Sequence, residues 1–264
     1  MKQSLTAAEY DLEESYWWFV GRRAILDSVL KQLGNIGSLA VDVGCGSGRN
    51  MMLLAPYAGR VIGVDRSPKA LEIARSRGLS VHSAGAEELP LPSSSVDAVT
   101  SFDVLEHLDD DVQALAEFNR VLKPNGMLFI TVPAYRFLWS EHDEALMHRR
   151  RYVASELHMK LNRMGFAVRF RSYAIFFTFL PIVLYRLFRG LIPNDPMAPK
   201  ASHVILPRVL NDFFIWTLRI EARLLRYVRL PWGSSIVVVA QKQPAVAPAV
   251  PTRQEPSREE CLVA

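Results

Sequence analysis

Four groups of polar residues in this chain have the composition and spacing to do chemistry. The first is Asp42 with Gly44, Gly46 and Gly48, inside LAVDVGCGSG at 39–48, where Cys45 stands between two of the glycines. A turn without side chains lets the backbone approach a ligand closely and adopt positive φ values. A carboxylate beside such a turn suits a cationic ligand group. It disfavours a dinucleotide, whose pyrophosphate needs a helix N-terminus without negative charge nearby. The second is Asp65, which ends the apolar run Arg60–Val64, about 20 residues on, where nucleotide folds place an acid on a ribose. One carboxylate can accept from two neighbouring hydroxyls. Ser67 and Pro68 read as the N-cap and first residue of a helix, which leaves Asp65 for the ligand. The third is Asp103, Glu106 and His107 in SFDVLEHLDD. These could line an acceptor pocket with His107 as base, hold a divalent metal, or secure the turn into the next helix. The fourth is WSEHDEALMHRRRY at 139–152, with His142, Asp143, His148 and Tyr152. An imidazole can take a proton from a hydroxyl near neutral pH. The competing reading is structural, with Trp139 as an anchor and Arg149–Arg151 paired with Glu141, Asp143 and Glu144.

The elements around these groups must bring them together. Leu39, Ala40, Val41 and Val43 read as a central parallel strand buried on both faces, followed by a helix at Arg49–Leu54. Arg60–Val64, VHSAGAEELP from Val81, Val96–Phe102 and Met127–Val132 read as four further strands. Lys123–Gly126 reads as a turn closing a helix over Asp110–Leu122. Ser155–Met164 is predicted helical with Gly165 as its cap, Phe166–Tyr173 alternates as a sixth strand, and Ser234–Gln241 is the last. The polar groups then fall at strand carboxyl ends, where open parallel sheets bind ligands. Residues 5–33 should form one or two helices. Successive helical positions diverge by about 100°, so Trp17 and Trp18 cannot share a face. We read Trp17, Trp18 and Arg22 as a lid, against the alternative of an aromatic packing anchor.

Taken in order, VDVGCGSGR, VIGVDRSPKALEIAR, AEELPLPSSSVDAVTSFDVLEHLDD and FNRVLKPNGMLFITVP resemble the class I S-adenosylmethionine-dependent methyltransferases. The resemblance spans residues 38–133, continues more loosely to about 172, and returns at LPWGSSIVVVAQK. It implies an α/β, Rossmann-like fold with a seven-stranded, mostly parallel sheet. The last strand would insert antiparallel between the fifth and sixth. It implies S-adenosylmethionine as cofactor, with Asp42, Gly44, Cys45, Gly46 and Gly48 at its amino-acid part and Asp65 at the ribose. Arg66, Ala86 and Glu87 would lie near the adenine, Phe102 and Asp103 would line the pocket, and Trp18 and Arg22 would close over it. Many members carry Asp before the Ala-Glu pair; here that position is Gly85. The LEH sequence recurs in relatives of many chemistries, which favours a structural use, so no metal is assigned. His142, His148 and His107 are the candidate catalytic residues.

The remainder of the chain departs from a minimal domain. Of 264 residues half are apolar, enough for one full core. Residues 1–148 carry 13 Lys and Arg against 20 Asp and Glu, whereas 149–230 carry 15 against 4. This asymmetry points to an anionic partner. YAIFFTFLPIVLY at 173–185 is too short to span a bilayer. Val209–Leu230 reads as one long helix with Arg219, Arg223, Arg226 and Arg229 on a single face. Together they suggest peripheral contact with an anionic membrane, or a helical pair packed on the sheet. The expected organisation is lid helices at 1–37, a cofactor-binding core at 38–172, an apolar and basic helical insertion at 173–233, the final strand at 234–242 and a disordered tail at 243–264. Two cysteines, Cys45 and Cys261, and no signal-peptide core point to a cytoplasmic protein; the basic and apolar helices would make it peripheral on the inner face of the membrane. The expected acceptor is a small molecule or a lipid-linked, quinone or glycan compound. Nucleic acid is not expected, because aromatic stacking platforms are missing. A non-catalytic binding module and a nucleotide-dependent oxidoreductase are the competing functions.

Overall fold

A computed structural model of the chain describes residues 12–189 and 206–244. The predicted tail therefore lies outside the described residues from 245 onward. Helix α1 (Trp17–Leu33) leads into β1 (Gly37–Val43), α2 (Arg49–Leu54), β2 (Ala58–Asp65), α3 (Pro68–Ser76), β3 (Val81–Ser83) and β4 (Val96–Phe102). Then follow a 3-10 turn at Leu105–His107, α4 (Asp111–Val121), β5 (Leu122–Pro133), a 3-10 turn at Arg136–Leu138, α5 (Glu141–Ala145) and α6 (Ala154–Arg163). The chain closes with β6 (Phe166–Ala174), α7 (Phe179–Arg189), α8 (Arg208–Leu224) and β7 (Ser235–Lys242).

The seven strands form one sheet in the order β3-β2-β1-β4-β5-β7-β6. The pairs β1–β2, β1–β4, β2–β3 and β4–β5 are parallel. β7 runs antiparallel to both β5 and β6, as the resemblance implies. Alternate side chains point to opposite faces, so the central strands feed two cores. Val41, Val43, Val99 and Ile130 pack with Leu115 and Phe118 of α4 and Leu157 of α6. Ala40, Ala98, Phe102 and Phe129 pack with Ile25, Leu26 and Val29 of α1 and Leu218 and Ala222 of α8.

Helices α1 and α8 are packed against each other. Leu218 of α8 occupies the space a side chain at Gly21 would need, so the two backbones approach closely. Asn211 of α8 accepts from the Trp17 amide at 2.8 Å and donates to the Ser15 carbonyl at 2.8 Å. It thereby satisfies an amide at the start of α1 that no residue of its own segment caps. Glu221, fully buried, accepts from the amides of Ile175 and Phe176 at 2.6 and 2.8 Å. Burial raises its carboxyl to about 7, against the lowering effect of these amides.

Several expected boundaries move. The long helix stops at Leu224, because Leu225 and Leu230 turn into the core and the Leu230 amide donates to Ser172 Oγ at 2.9 Å. Arg226 and Arg229 thus leave the predicted face; Arg229 lies 4.1 Å from the Phe170 ring centroid. Strand β3 is only three residues long. The expected turn at Lys123–Gly126 is absorbed into β5, with Asn125 at φ 65° and a register shift opposite Val96 and Ala98. The run from Tyr173 divides, since β6 reaches Ala174 before α7 begins at Phe179. No helix among the described residues is long and apolar enough to cross a membrane.

Candidate functional site

Asp42 sits one residue before the end of β1, on the sheet face that α1 covers, and is fully buried. Oδ1 accepts from the Thr100 hydroxyl of β4 at 2.6 Å, while Oδ2 has no partner. Burial raises the carboxyl to about 7, opposed by the Thr100 hydrogen bond and the charge of Arg22. A cationic group beside Oδ2 would satisfy the orphaned oxygen and favour its ionised form.

The chain leaves Asp42 through the glycine turn. The amides of Gly44 and Cys45 both donate to the Val64 carbonyl, at 2.7 and 3.1 Å, so the turn hangs from the end of β2. Gly44 has φ 73° and the Val104 side chain fills the place of its missing Cβ. Gly46 has φ 53° and faces open space, with nothing within 4 Å of where a Cβ would stand. The Gly46 amide donates to Asp65 Oδ2 at 2.9 Å, and the Ser67 amide donates to Asp65 Oδ1 at 2.7 Å. The expectation of an unengaged Asp65 is corrected here. Ser67 does cap α3, accepting from the Ala70 amide at 3.3 Å, but Asp65 ties the turn to the entry of that helix. A carboxylate offers about four lone-pair positions, so acceptor capacity for a diol remains.

Two expected contact side chains are placed elsewhere. The Cys45 thiol packs with Met51, Leu71, Ala74 and Val81, and burial pushes it well above the ordinary thiol range. The Phe102 ring belongs to the core beneath α1; the Ala86 methyl packs in the core on the other face, but the adenine contact expected of Ala86 is through its backbone amide. Gly48 begins α2 at φ 85°. Arg66 pairs with Glu87 at 2.7 Å, and its guanidinium occupies the space a Cβ at Gly85 would need. The glycine at 85 therefore makes room for an Arg66–Glu87 pair.

Helix α1 supplies Arg22, which forms a salt bridge with Asp103 and lies 4.7 Å from the Trp18 ring centroid. Burial and the charge of Arg23 lower this guanidinium to about 10, while Glu106, Asp42 and Glu13 act in the opposite direction. Trp17 meets Phe214 of α8 instead, with ring centroids 5.2 Å apart. The two tryptophans diverge as the helical step requires. Arg22 Nε, Asp42 Oδ2, Ser101 Oγ, Glu106 Oε2 and Thr131 Oγ1 are all buried and unpartnered. They lie at or beside the carboxyl ends of β1, β4 and β5, and a closed core leaves few such atoms.

Glu106, His107 and His148 bring ligand-type atoms within 4.8 Å of one another. Burial raises Glu106 to about 8, against the charges of Arg22 and Arg151. The His107 and His148 rings meet edge to face at 4.8 Å. His148 Nδ1 is 2.9 Å from Asp143 Oδ1, which also accepts from Arg151 Nε at 2.7 Å. Asp143 is fully buried; burial would raise its carboxyl, but His148 and Arg151 hold it well below the usual range. A carboxylate on Nδ1 fixes the proton there and leaves Nε2 as the acceptor nitrogen. His142, half-buried on α5, is not among this group. Arg149 pairs with Asp109 and Arg150 with Asp111. Tyr152, buried, donates to Asp111 Oδ2 at 2.6 Å and is thereby committed to structure.

Sequence reasoning missed Glu13, Glu14 and Tyr135. Glu13 accepts from the Ser47 hydroxyl in the glycine turn, and Glu14 pairs with Arg49 at the start of α2. Only charge complementarity with Arg49 and Arg77 could have signalled them. Tyr135 follows β5 at φ 58° and stacks on Tyr173 at 5.1 Å. Asp103, after β4, has φ 56°. Left-handed side-chain-bearing residues cost on the order of 1–3 kcal/mol and gather at functional sites; no sequence pattern announces them.

A parallel sheet with an antiparallel β7, and polar groups left open at the strand ends, define an α/β domain with a candidate ligand site there. Residues 41–130 match the family described as a methyltransferase domain, in keeping with the resemblance to class I S-adenosylmethionine-dependent methyltransferases. S-adenosylmethionine is the cofactor of that class. A protein of Mycolicibacterium smegmatis named a probable S-adenosylmethionine-dependent methyltransferase is 33% identical over 161 residues, covering 60% of this chain and 62% of the relative. A ubiquinone biosynthesis O-methyltransferase of Xanthomonas oryzae is 33% identical over 117 residues, covering 40% of this chain and 47% of the relative. The chain thus spans about three fifths or less of these relatives. The solved structure of a SAM-dependent methyltransferase from Archaeoglobus fulgidus has a TM-score of 0.56 at 17% identity, covering 90% of this chain and 100% of that one. That likeness concerns the fold.

Proposed function

We propose that this protein transfers a methyl group from S-adenosylmethionine to a hydroxyl of a lipid-linked, quinone or glycan acceptor met at or near a membrane. The observation that carries the reading is the buried, half-partnered Asp42 carboxylate beside the open side of Gly46. Asp42 is suited to the ligand ammonium, Asp65 to the ribose diol, and the Arg66–Glu87 pair to the adenine edge. Arg22, bound here to Asp103, is the cation available to the methionine carboxylate. When bound, S-adenosylmethionine supplies an electrophilic methyl on a sulfonium sulfur.

The chain's own part is orientation and proton removal. His148 accepts the acceptor's hydroxyl proton on Nε2 as the oxygen takes the methyl group. Asp143 holds the ring and stabilises the imidazolium, and Arg151 holds Asp143. The apolar insertion favours an acceptor with an apolar body, and the ubiquinone O-methyltransferase relative supports the same class. The test supplies a labelled methyl donor with soluble and membrane extracts. His148→Gln should keep its affinity for S-adenosylhomocysteine and lose about 10²–10⁴-fold in turnover, while His142→Gln keeps both. Tight S-adenosylhomocysteine binding without label transfer to any fraction would instead favour a binding module.

A further inference from the structure

We propose that the outward face of α8 docks the protein on an anionic lipid bilayer. One side of α8 is committed: Leu218, Glu221 and Ala222 are buried against α1 and the loop after β6. The opposite side carries Val209, Phe213, Trp216, Leu224 and Tyr227 along one stripe, running just beyond the helix end. Val209 and Tyr227 are 80% and 83% exposed, and Phe213 and Trp216 are 52% and 58% exposed. At 100° per residue these five fall within a sector of about 80°. A helix buried on one face and apolar again on the other has a second environment to satisfy.

The flanking charge identifies that environment. Arg219 and Arg223 follow the edge of the stripe and have no carboxylate partner among the described residues. With Arg226 they line a groove of about 150 Å³ between α8 and α1, together with Ser28 and Asp27. The acid in that groove is already taken, since Asp27 binds Lys31 and Tyr57, each at 2.6 Å. Arg226 Nε donates to Ser28 Oγ at 3.3 Å. The groove is therefore net cationic beside an aromatic stripe. A second copy of the chain would present the same arginines and repel; a surface of lipid phosphates complements them. Helices of this build lie in the membrane plane, with aromatic side chains in the acyl boundary and arginines at the headgroups. The inference extends the reading of a membrane-linked acceptor by naming the surface that meets it. Docking is measured without methyl donor, so either can fail alone.

The experiment sediments the full chain with vesicles of phosphatidylcholine containing 30% phosphatidylglycerol, and with phosphatidylcholine alone, at low and high salt. Binding to the anionic vesicles only, weakened by salt, is expected. Each arginine near such a surface is worth about fivefold in partitioning, so Arg219→Glu with Arg223→Glu should weaken binding at least 25-fold. Phe213→Ser with Trp216→Ser should also abolish it, with unchanged circular dichroism and S-adenosylhomocysteine affinity. Absence of binding to anionic vesicles at low salt would overturn the proposal. So would a dimer of the wild type that the Phe213 and Trp216 changes convert to a monomer, because the stripe would then be covered by a second copy.

Discussion

Replacing Asp42 by Asn should make the protein more stable at pH 8 and unable to hold its cofactor. In the folded chain the Asp42 carboxyl sits near 7, raised from 3.8 by burial. In the unfolded chain it ionises near its ordinary value. Below about pH 4 both states are protonated and the residue is neutral in its effect. As pH rises toward 7 the unfolded state loses its proton first, and stability is lost through that window. At about 1.4 kcal/mol per unit, three units amount to roughly 4 kcal/mol by pH 8. Asn keeps an oxygen for the Thr100 hydroxyl but puts an amide nitrogen where Oδ2 has no partner, which costs about 1–3 kcal/mol. The net gain is then about 1–3 kcal/mol at pH 8, or roughly 2–10 °C in Tm, shrinking to nothing near pH 5. Thermal melts of both proteins from pH 5 to 8 give the difference, and calorimetry with S-adenosylhomocysteine gives the binding. A Tm difference that does not change with pH, or a variant that binds like the wild type, would refute the reasoning.

Because the ammonium requires Asp42 ionised, S-adenosylhomocysteine affinity in the wild type should fall about tenfold per pH unit below 7, measured by calorimetry across pH. Gly21→Val should force α1 and α8 apart where Leu218 fills the gap. It should cost about 1–3 kcal/mol by overpacking, read as a lowered denaturation midpoint. Thr100→Val removes the one hydrogen bond on Asp42 and should weaken S-adenosylhomocysteine binding at pH 7 more than at pH 8.5, since the carboxyl is pushed higher still. Excess chelator should leave turnover unchanged if His148 acts as base; a loss restored by a divalent cation would make Glu106, His107 and His148 cation ligands instead.

Much of the sheet was legible because its strands are short apolar runs closed by polar or glycine residues. Arg49–Leu54 and Val96–Phe102 coincide with their elements, and Asp110 caps α4 as an acid before an amphipathic run should. The insertion was less legible. Leucines and arginines continue the helical period past Leu224, and what stops the helix is a hydrogen bond to Ser172, remote in sequence. The candidate site divides the same way. Asp42, Gly46 and Asp65 are local to one turn and its neighbouring strand. The His148–Asp143–Arg151 arrangement depended on which of three adjacent arginines turned inward, and composition does not say. Arg22 meeting Asp103, and Asn211 capping α1, join segments that only the folded sheet brings together.

The position of β7 bears on how the chain is made. Of the seven strands of the sheet it is the last to leave the ribosome, yet it fills the slot between β5 and β6. Until residues 235–242 emerge, the apolar edge of β5 stands without its neighbour and β6 has nothing to pair with. Such an edge is a site for wrong pairing between nascent chains. Completion of the sheet therefore waits on its seventh strand, and a holdase that shelters β5 through that interval should raise the yield of active protein.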